Sequence, residues 1–407
     1  MTDLICASPE AIGLSAERLA RIESWAQRLV DDGKLPGLIT LVTRCDQIAH
    51  LHVCGQADIA RDVPLAVDTI FRIYSMTKPL TTVAAMMLYE EGHFQLDDPI
   101  ARFLPGFASM RVYTGCARGK FDTAPSERDI TFRDLMTHTA GFTYGFMEAH
   151  PVDAVYRTNG IDFQTSEATL GEVVERLAAV PLIAQPGRAW NYSVATDVLG
   201  HLVAVISGQS FESFLQDRVL GPLGMTDTGF HVPANKLSRF AANYGRGADG
   251  GLVLIDDPET SIFATQRPIA SGGGGLCSTA LDYLQFCRMM LNNGELDGVR
   301  LLGRKTVELM TTNHLGSDMA DLGTPRFSES SYTGIGFGLG FSVMLDPAKA
   351  QIIGTPGDYA WGGAASTSFW IDPAEQMIVI MLTQLTPSSA YPIRRELRVL
   401  SYAAVVE

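Results

Sequence analysis

Long apolar runs are missing from this sequence of 407 residues. No stretch reaches the ~18 residues needed to span a bilayer, and Met1-Thr2-Asp3-Leu4-Ile5 has neither the basic region nor the apolar core of a secretory signal. Basic residues are also scarce: 31 Lys and Arg face 45 Asp and Glu, a formal charge of −14. That balance argues against nucleic acid and against anionic membrane surfaces, both of which reward basic patches. Cysteines number only six, at positions 6, 45, 54, 116, 277 and 287, with no Cys-x-x-Cys and no Cys/His spacing suited to zinc. Buried, reduced thiols are the expectation, although Cys45 and Cys54 fall on one β-hairpin. No Gly-x-Ser-x-Gly pentapeptide and no His-Glu-x-x-His occur, so neither a nucleophile elbow nor a zincin helix is supported. A cytoplasmic protein without a metal, a cofactor or a nucleic-acid or membrane partner is expected.

What is present is an ordinary globular composition, 46% hydrophobic and 19% charged with 39 Gly and 20 Pro, enough for one large domain or two closely packed ones. Apolar spacing predicts a helix over 16–32 capped by Ser15, then a hairpin of strands 38–44 and 48–55 joined at Asp46-Gln47. A strong helix follows over 77–91, with Pro79 harmless in its first turn and Gly92 beyond its end. Between about 96 and 266 the pattern is of helices (132–137, 170–179, 194–206, 211–220) separated by Pro- and Gly-rich loops, with few strand signals. After the glycine run 272–275 come a helix over 281–291 capped by Ser278 or Thr279, strands 336–344, 367–371 and 377–382, and a last helix over 393–405. The two ends of the chain therefore read as one α/β domain (1–95 and 267–407) with a central antiparallel sheet, and residues 96–266 as a mostly helical insertion: an α+β fold. The glycine run lacks the Lys-Ser/Thr of a phosphate loop and reads as a tight structural loop.

Ser75-Met76-Thr77-Lys78 is the only Ser-x-x-Lys in the chain. Ser75 follows the strand-like Phe71-Arg72-Ile73 and stands where the helix begins, so its hydroxyl faces the positive end of the helix dipole. At i and i+3 the two side chains have Cβ atoms ~5–6 Å apart, close enough for the amine to reach the hydroxyl. Lysine, with an ordinary pKa of ~10.4, can act as a base only if its pKa is lowered by burial or by a neighbouring charge. Taken alone, the motif is equally well an N-terminal serine followed by an exposed lysine.

The segment Phe71-Arg72-Ile73-Tyr74-Ser75-Met76-Thr77-Lys78 resembles the nucleophile motif of class C β-lactamase-like serine hydrolases, in particular the family VIII carboxylesterases. Leu135-Met136-Thr137-His138-Thr139-Ala140-Gly141 is similar to their Leu-x-Thr-His-Thr-Ser-Gly segment, and Pro186-Gly187-Arg188-Ala189-Trp190-Asn191-Tyr192-Ser193 to their Pro-Gly-x-x-Trp-x-Tyr-Ser signature. The stretch 271–279 followed by Asp282 resembles their glycine-rich helix entry, and Trp361-Gly362-Gly363 resembles the third motif as esterase members carry it. The resemblance covers nearly the whole chain and implies a β-lactamase/penicillin-binding-protein-like fold. It also implies an acyl-enzyme on Ser75, with Lys78 as proton acceptor or electrostatic partner. Tyr192 becomes the second member of the proton relay, helped towards the phenolate by the Lys78 ammonium. The N–H groups of Ser75 and Ala364 become the oxyanion donors. Gly362 and Gly363 would let substrate lie against a strand edge, and Trp361, Tyr144 and Phe146 are expected to line its pocket. His138 is expected to be structural, and Asp97-Asp98 a turn rather than a carboxylate pair.

Two departures from the lactamase pattern stand out. Trp361 replaces the lysine of Lys-Thr-Gly, and Val194 replaces the asparagine of Tyr-x-Asn. Both changes remove polar groups that recognise β-lactams. The expected activity is therefore hydrolysis of small or medium neutral acyl esters. Acyl transfer from the same acyl-enzyme, amide or β-lactam hydrolysis, and a non-catalytic binding protein on the same fold remain the alternatives.

Overall fold

The computed structural model describes residues 8–117, 120–248, 250–325 and 328–407; Cys6 and the stretch Met1–Ile5 lie outside them. Helix α1 (Ala16–Asp31) starts at Ser15, whose side chain accepts from the Arg18 N–H, and buries Leu19, Ile22, Trp25 and Leu29 at helical spacing. Strands β1 (Gly37–Arg44) and β2 (Gln47–Asp58) pair as the expected hairpin. Its turn residues are Cys45 and Asp46, one position earlier than expected, both with positive φ (51° and 61°), as a tight two-residue turn requires. Cys45 sits in this turn and Cys54 beyond its midpoint opposite Leu38, so the two thiols are separated along the ladder and both are free.

β1 lies inside an eight-stranded antiparallel sheet between β2 and the strand Met377–Leu382. Beyond that strand come Ser368–Asp372, Tyr359–Gly362, Ser342–Met344 and Ile335–Phe337; β2 is followed by the short Val63–Pro64. The two ends of the sequence thus do share one sheet. Alternation divides its side chains between two cores. Leu38, Val42, Val379 and Met381 face α1 and the C-terminal helix Ile393–Ala403. Ile39, Leu41, Ile378 and Ile380 face helix α2 (Thr77–Glu90) and the helix Ala280–Leu291, capped by Thr279. Residues Thr77 to Leu88 of α2 are buried all round, so it is a central helix rather than a surface one.

Three sequence expectations need correction. Residues 336–344 are not one strand. Gly340 turns the chain at φ +87°, and a Cβ on Gly338 would lie 2.1 Å from the Met310 carbonyl oxygen, so the segment folds into the hairpin Ile335–Phe337 and Ser342–Met344. The middle of the chain, expected to be mostly helical with few strand signals, also carries strands. Arg111–Ala117 and Lys120–Pro125 form a hairpin, and Asn243–Arg246 and Leu252–Asp256 form a small sheet with Leu385–Thr386. Finally, 211–220 is α-helical only to Leu215, after which Gln216–Leu220 widens to a π-turn. Among the described residues no single helix is long and apolar enough to cross a membrane.

Candidate active site

Ser75 occupies a 3-10 turn (Tyr74–Met76) that leads directly into α2. The turn is held from several sides. Phe71–Arg72 pairs antiparallel with Cys277–Ser278, the Ile73 N–H donates to the Leu276 carbonyl (3.1 Å), and the Leu276 N–H donates to Thr77 Oγ1 (3.1 Å). These contacts fix the glycine run against the nucleophile turn. The run is also the close-packed loop expected. A Cβ on Gly272 would lie 2.6 Å from the Thr196 carbonyl oxygen, and one on Gly273 would lie 2.4 Å from the Asp197 carboxylate. No phosphate-loop geometry is involved.

Tyr192 reaches the same point from a different element. The segments 138–143 and 190–194 are joined by hydrogen bonds from the Asn191 N–H to the His138 carbonyl (2.8 Å) and from the Val194 N–H to the Thr143 carbonyl (3.3 Å). The His138 ring is buried against Trp190, Tyr192 and Phe337, with centroids 5.0 Å from Tyr192. Burial, and then the nearby Lys78 charge, push its pKa well below the ordinary value, so it is a neutral packing group.

The three side chains expected to converge do so. Tyr192 Oη donates to Ser75 Oγ at 2.5 Å, and Lys78 Nζ lies 3.3 Å from the same oxygen. Lys78 is 1% exposed, and its Nζ also donates to the Gly273 carbonyl at 2.6 Å. Burial lowers its pKa to about 7, against the opposing pull of Asp197. The expected help from Lys78 towards a phenolate at Tyr192 is not found. Desolvation dominates and raises the phenol above its usual value, while the hydrogen bond with Ser75 only partly offsets this. The Trp361 indole N–H pulls weakly in the same direction as Ser75 and meets no partner at full hydrogen-bond geometry.

The strand Tyr359–Gly362 supplies the opposite wall. Its pairing with Ser342–Met344 ends at Ala360, so Trp361 and Gly362 present a free edge. The two glycines, which line the cleft, also have a packing role. A Cβ on Gly363 would sit 2.3 Å from Thr367 Oγ1 and 2.4 Å from the Ile73 carbonyl oxygen, and one on Gly362 would sit 2.8 Å from Arg394 Nη2. Both absent side chains admit the protein's own groups, bringing this strand against the nucleophile turn. Just beyond it, the exposed Ala364 donates its N–H to no acceptor among the described residues.

These groups open onto a cleft of about 1040 Å³ whose lining includes Ser75, Ala364 and all five expected pocket residues: Trp361, Gly362, Gly363, Tyr144 and Phe146. Tyr144 and Phe146 stack at 4.7 Å, with Phe146 60% exposed at the mouth.

Sequence reasoning missed three polar groups here. Asp197, fully buried in the first turn of the helix Ala195–Ser207, accepts from Ser271 Oγ (2.6 Å) and the Gly273 N–H (2.9 Å). Burial raises its pKa, opposed first by Lys78. Its signal was a lone carboxylate inside an otherwise apolar helix. Arg394, from the C-terminal helix, donates through Nη2 to the carbonyls of Gly363 (2.9 Å) and Thr367 (3.0 Å), which puts a cation behind the strand that lacks the motif lysine. Asn243 lines the cleft from the small sheet. No cluster of metal-ligating side chains occurs among the described residues.

Comparison with known proteins agrees with this architecture. The β-lactamase family profile matches residues 22–404. The chain is 38% identical to protein Rv1367c of Mycobacterium tuberculosis, covering 89% of this chain and 88% of that one. It is 32% identical to esterase EstB of Burkholderia gladioli, covering 92% and 93%. Among solved structures it superposes on EstCE1, described as a hydrolase with promiscuous acyltransferase activity, with a TM-score of 0.79 at 28% identity, covering 95% and 99%. The α+β architecture is accordingly the β-lactamase/penicillin-binding-protein fold, and the chain belongs to the β-lactamase family of serine hydrolases.

Proposed function

We propose that the protein hydrolyses small or medium acyl esters, with Ser75 as nucleophile, Lys78 and Tyr192 as its proton relay and the N–H groups of Ser75 and Ala364 as oxyanion donors. The observation that carries this reading is that one hydroxyl, Ser75 Oγ, lies within hydrogen-bond reach of both an amine and a phenol at the floor of a large cleft. The pKa directions assign the protons. A lysine near neutrality is largely free amine at slightly alkaline pH, whereas a phenol raised by burial keeps its proton. Tyr192 then donates to Ser75 Oγ, and Ser75 donates to the lone pair of Lys78.

Attack of Ser75 Oγ on the ester carbonyl transfers the hydroxyl proton to Lys78 Nζ, and the oxyanion forms towards the two N–H groups. Collapse breaks the bond to the alcohol oxygen, which takes the Tyr192 proton; Lys78 returns its proton to the phenolate. Water then attacks the acyl carbon, giving a proton to Lys78, which passes it to the departing Ser75 Oγ and restores the resting site. EstB is named an esterase, and the apolar Trp361 and Val194 in place of lactam-binding polar groups favour esters over β-lactams. Ser75→Ala is expected to lower p-nitrophenyl butyrate turnover on the order of 10⁴-fold or more; undiminished turnover overturns the assignment. Acyl transfer is the second reading, favoured by the likeness to EstCE1 and by the volume of the cleft. The ratio of transester to acid formed in the presence of added alcohol separates the two.

A further inference from the structure

Away from the proton relay, the cleft has a polar corner that the hydrolytic steps do not use. It is made by Tyr74, Asn243 and Thr386, all of which line the same cleft as Ser75. Asn243 is 2% exposed and sits at an irregularity in the ladder between Asn243–Arg246 and Leu252–Asp256. Its Nδ2 donates to Tyr74 Oη and to Thr386 Oγ1, both at a long 3.4 Å, while its Oδ1 meets no donor. A buried amide oxygen without a donor is destabilising, and folded proteins rarely leave one so.

The partners are placed as a recognition array. Tyr74 immediately precedes the nucleophile, with backbone φ +41°, a strained value for a bulky residue, and its ring is held edge-on to Phe263 at 5.9 Å. Burial raises its pKa to about 12, so the hydroxyl keeps its proton. Thr386 is positioned by parallel pairing of Leu385–Thr386 with Tyr244 and Gly245. Because Tyr74 and Thr386 each accept from Asn243, their own O–H groups remain available to donate. The corner therefore offers two hydroxyl donors held on the Nδ2 side of the Asn243 amide, with an acceptor lacking a donor on the other side of that amide. A hydroxyl matches these groups, since it can both accept and donate.

We propose that Tyr74, Asn243 and Thr386 form a subsite for a hydroxyl group carried by the substrate, so that the preferred esters are hydroxylated ones. This deepens the esterase reading and rests on it. The subsite is read as a ratio of kcat/KM values between matched esters: p-nitrophenyl 3-hydroxybutyrate against p-nitrophenyl butyrate for a hydroxyl on the acyl side, and ethylene glycol monobutyrate against propyl butyrate for one on the alcohol side. The expected result is a preference of about tenfold for the hydroxylated member of at least one pair, equivalent to about 1.4 kcal/mol. In Asn243→Ala and in Tyr74→Phe that ratio is expected to fall towards one. No preference in either pair for the unaltered protein overturns the subsite, as does a fall of both members by the same factor in both variants. Absence of turnover of all four esters instead overturns the esterase reading, so the two failures are distinguishable.

Discussion

At the depth of Lys78 an ammonium loses most of its hydration, and the buried carboxylate that opposes this, Asp197, does so by its charge rather than by direct contact. Gly273 gives its N–H to Asp197 and its carbonyl to Lys78, so one residue sets the position of both. With a folded pKa of about 7, Lys78 is protonated and unable to act as a base on the acid side of neutrality. The kcat/KM for an ester should therefore rise with pH through about 7, the free-enzyme limb that this quantity reports. Asp197 raises the Lys78 pKa, so Asp197→Asn should move that limb to lower pH, measured as a full pH–rate profile. A limb that stays in place in the variant would show that Asp197 is only structural. The spacing only suggested the pair Ser75 and Lys78; their roles, like that of Tyr192, were legible from the resemblance. Asp197 was not, because a carboxylate in the first turn of a helix is ordinarily a solvated end-group. Only the glycine loop folded over it makes it a buried one.

At the scale of elements, the site depends on how closely the strand Tyr359–Gly362 approaches the turn Tyr74–Met76. Gly363 sets that distance: its missing Cβ would overlap the Ile73 carbonyl and Thr367 Oγ1. Gly363→Ala should therefore push the Ala364 N–H away from the nucleophile. Stability should fall by about 1–3 kcal/mol, typical of overpacking. Activity should fall further, since removal of one oxyanion donor alone commonly costs about 10²–10³ in kcat. A denaturant midpoint measured beside kcat separates the two effects; full activity in a destabilised variant would contradict the geometry. Helices and paired strands with strong periodicity were legible to within three residues: α1, α2, the first hairpin and the strand Met377–Leu382. The elements that were missed lack that signal. Leu252–Asp256 is a strand whose Val253, Leu254 and Ile255 are exposed, so it has no alternation to read, and the hairpin at 335–344 is hidden by glycines that look like a strand interrupted.

Across the whole molecule, Arg72 ties the nucleophile segment to distant parts of the chain. It is fully buried, donates to Asp256 and to the Ala241 carbonyl (both 2.5 Å), and lies 3.9 Å above the Phe240 ring. Its backbone N–H and Nη1 both reach Gln384 Oε1 at 3.3 Å. Asp256 is partly exposed, but the Ala241 carbonyl and Gln384 would lose a buried donor, so Arg72→Met should lower the unfolding free energy by about 1–3 kcal/mol. Urea titration followed by tryptophan fluorescence measures this; an unchanged midpoint would mean that the network contributes nothing net.

β1 pairs on one side with its hairpin partner and on the other with Met377–Leu382, more than 330 residues later. During synthesis on the ribosome, Leu38, Ile39, Leu41 and Val42 are therefore complete long before their second neighbour exists, and one flank of an apolar strand stays open while most of the chain is still being added. On the proposed mechanism the nucleophilic hydroxyl is made early as well, but the peptide groups that would orient its lysine and receive the oxyanion come only with residues 273 and 364. Activity is thus a property the growing chain acquires late, near the moment when its first strand is finally enclosed.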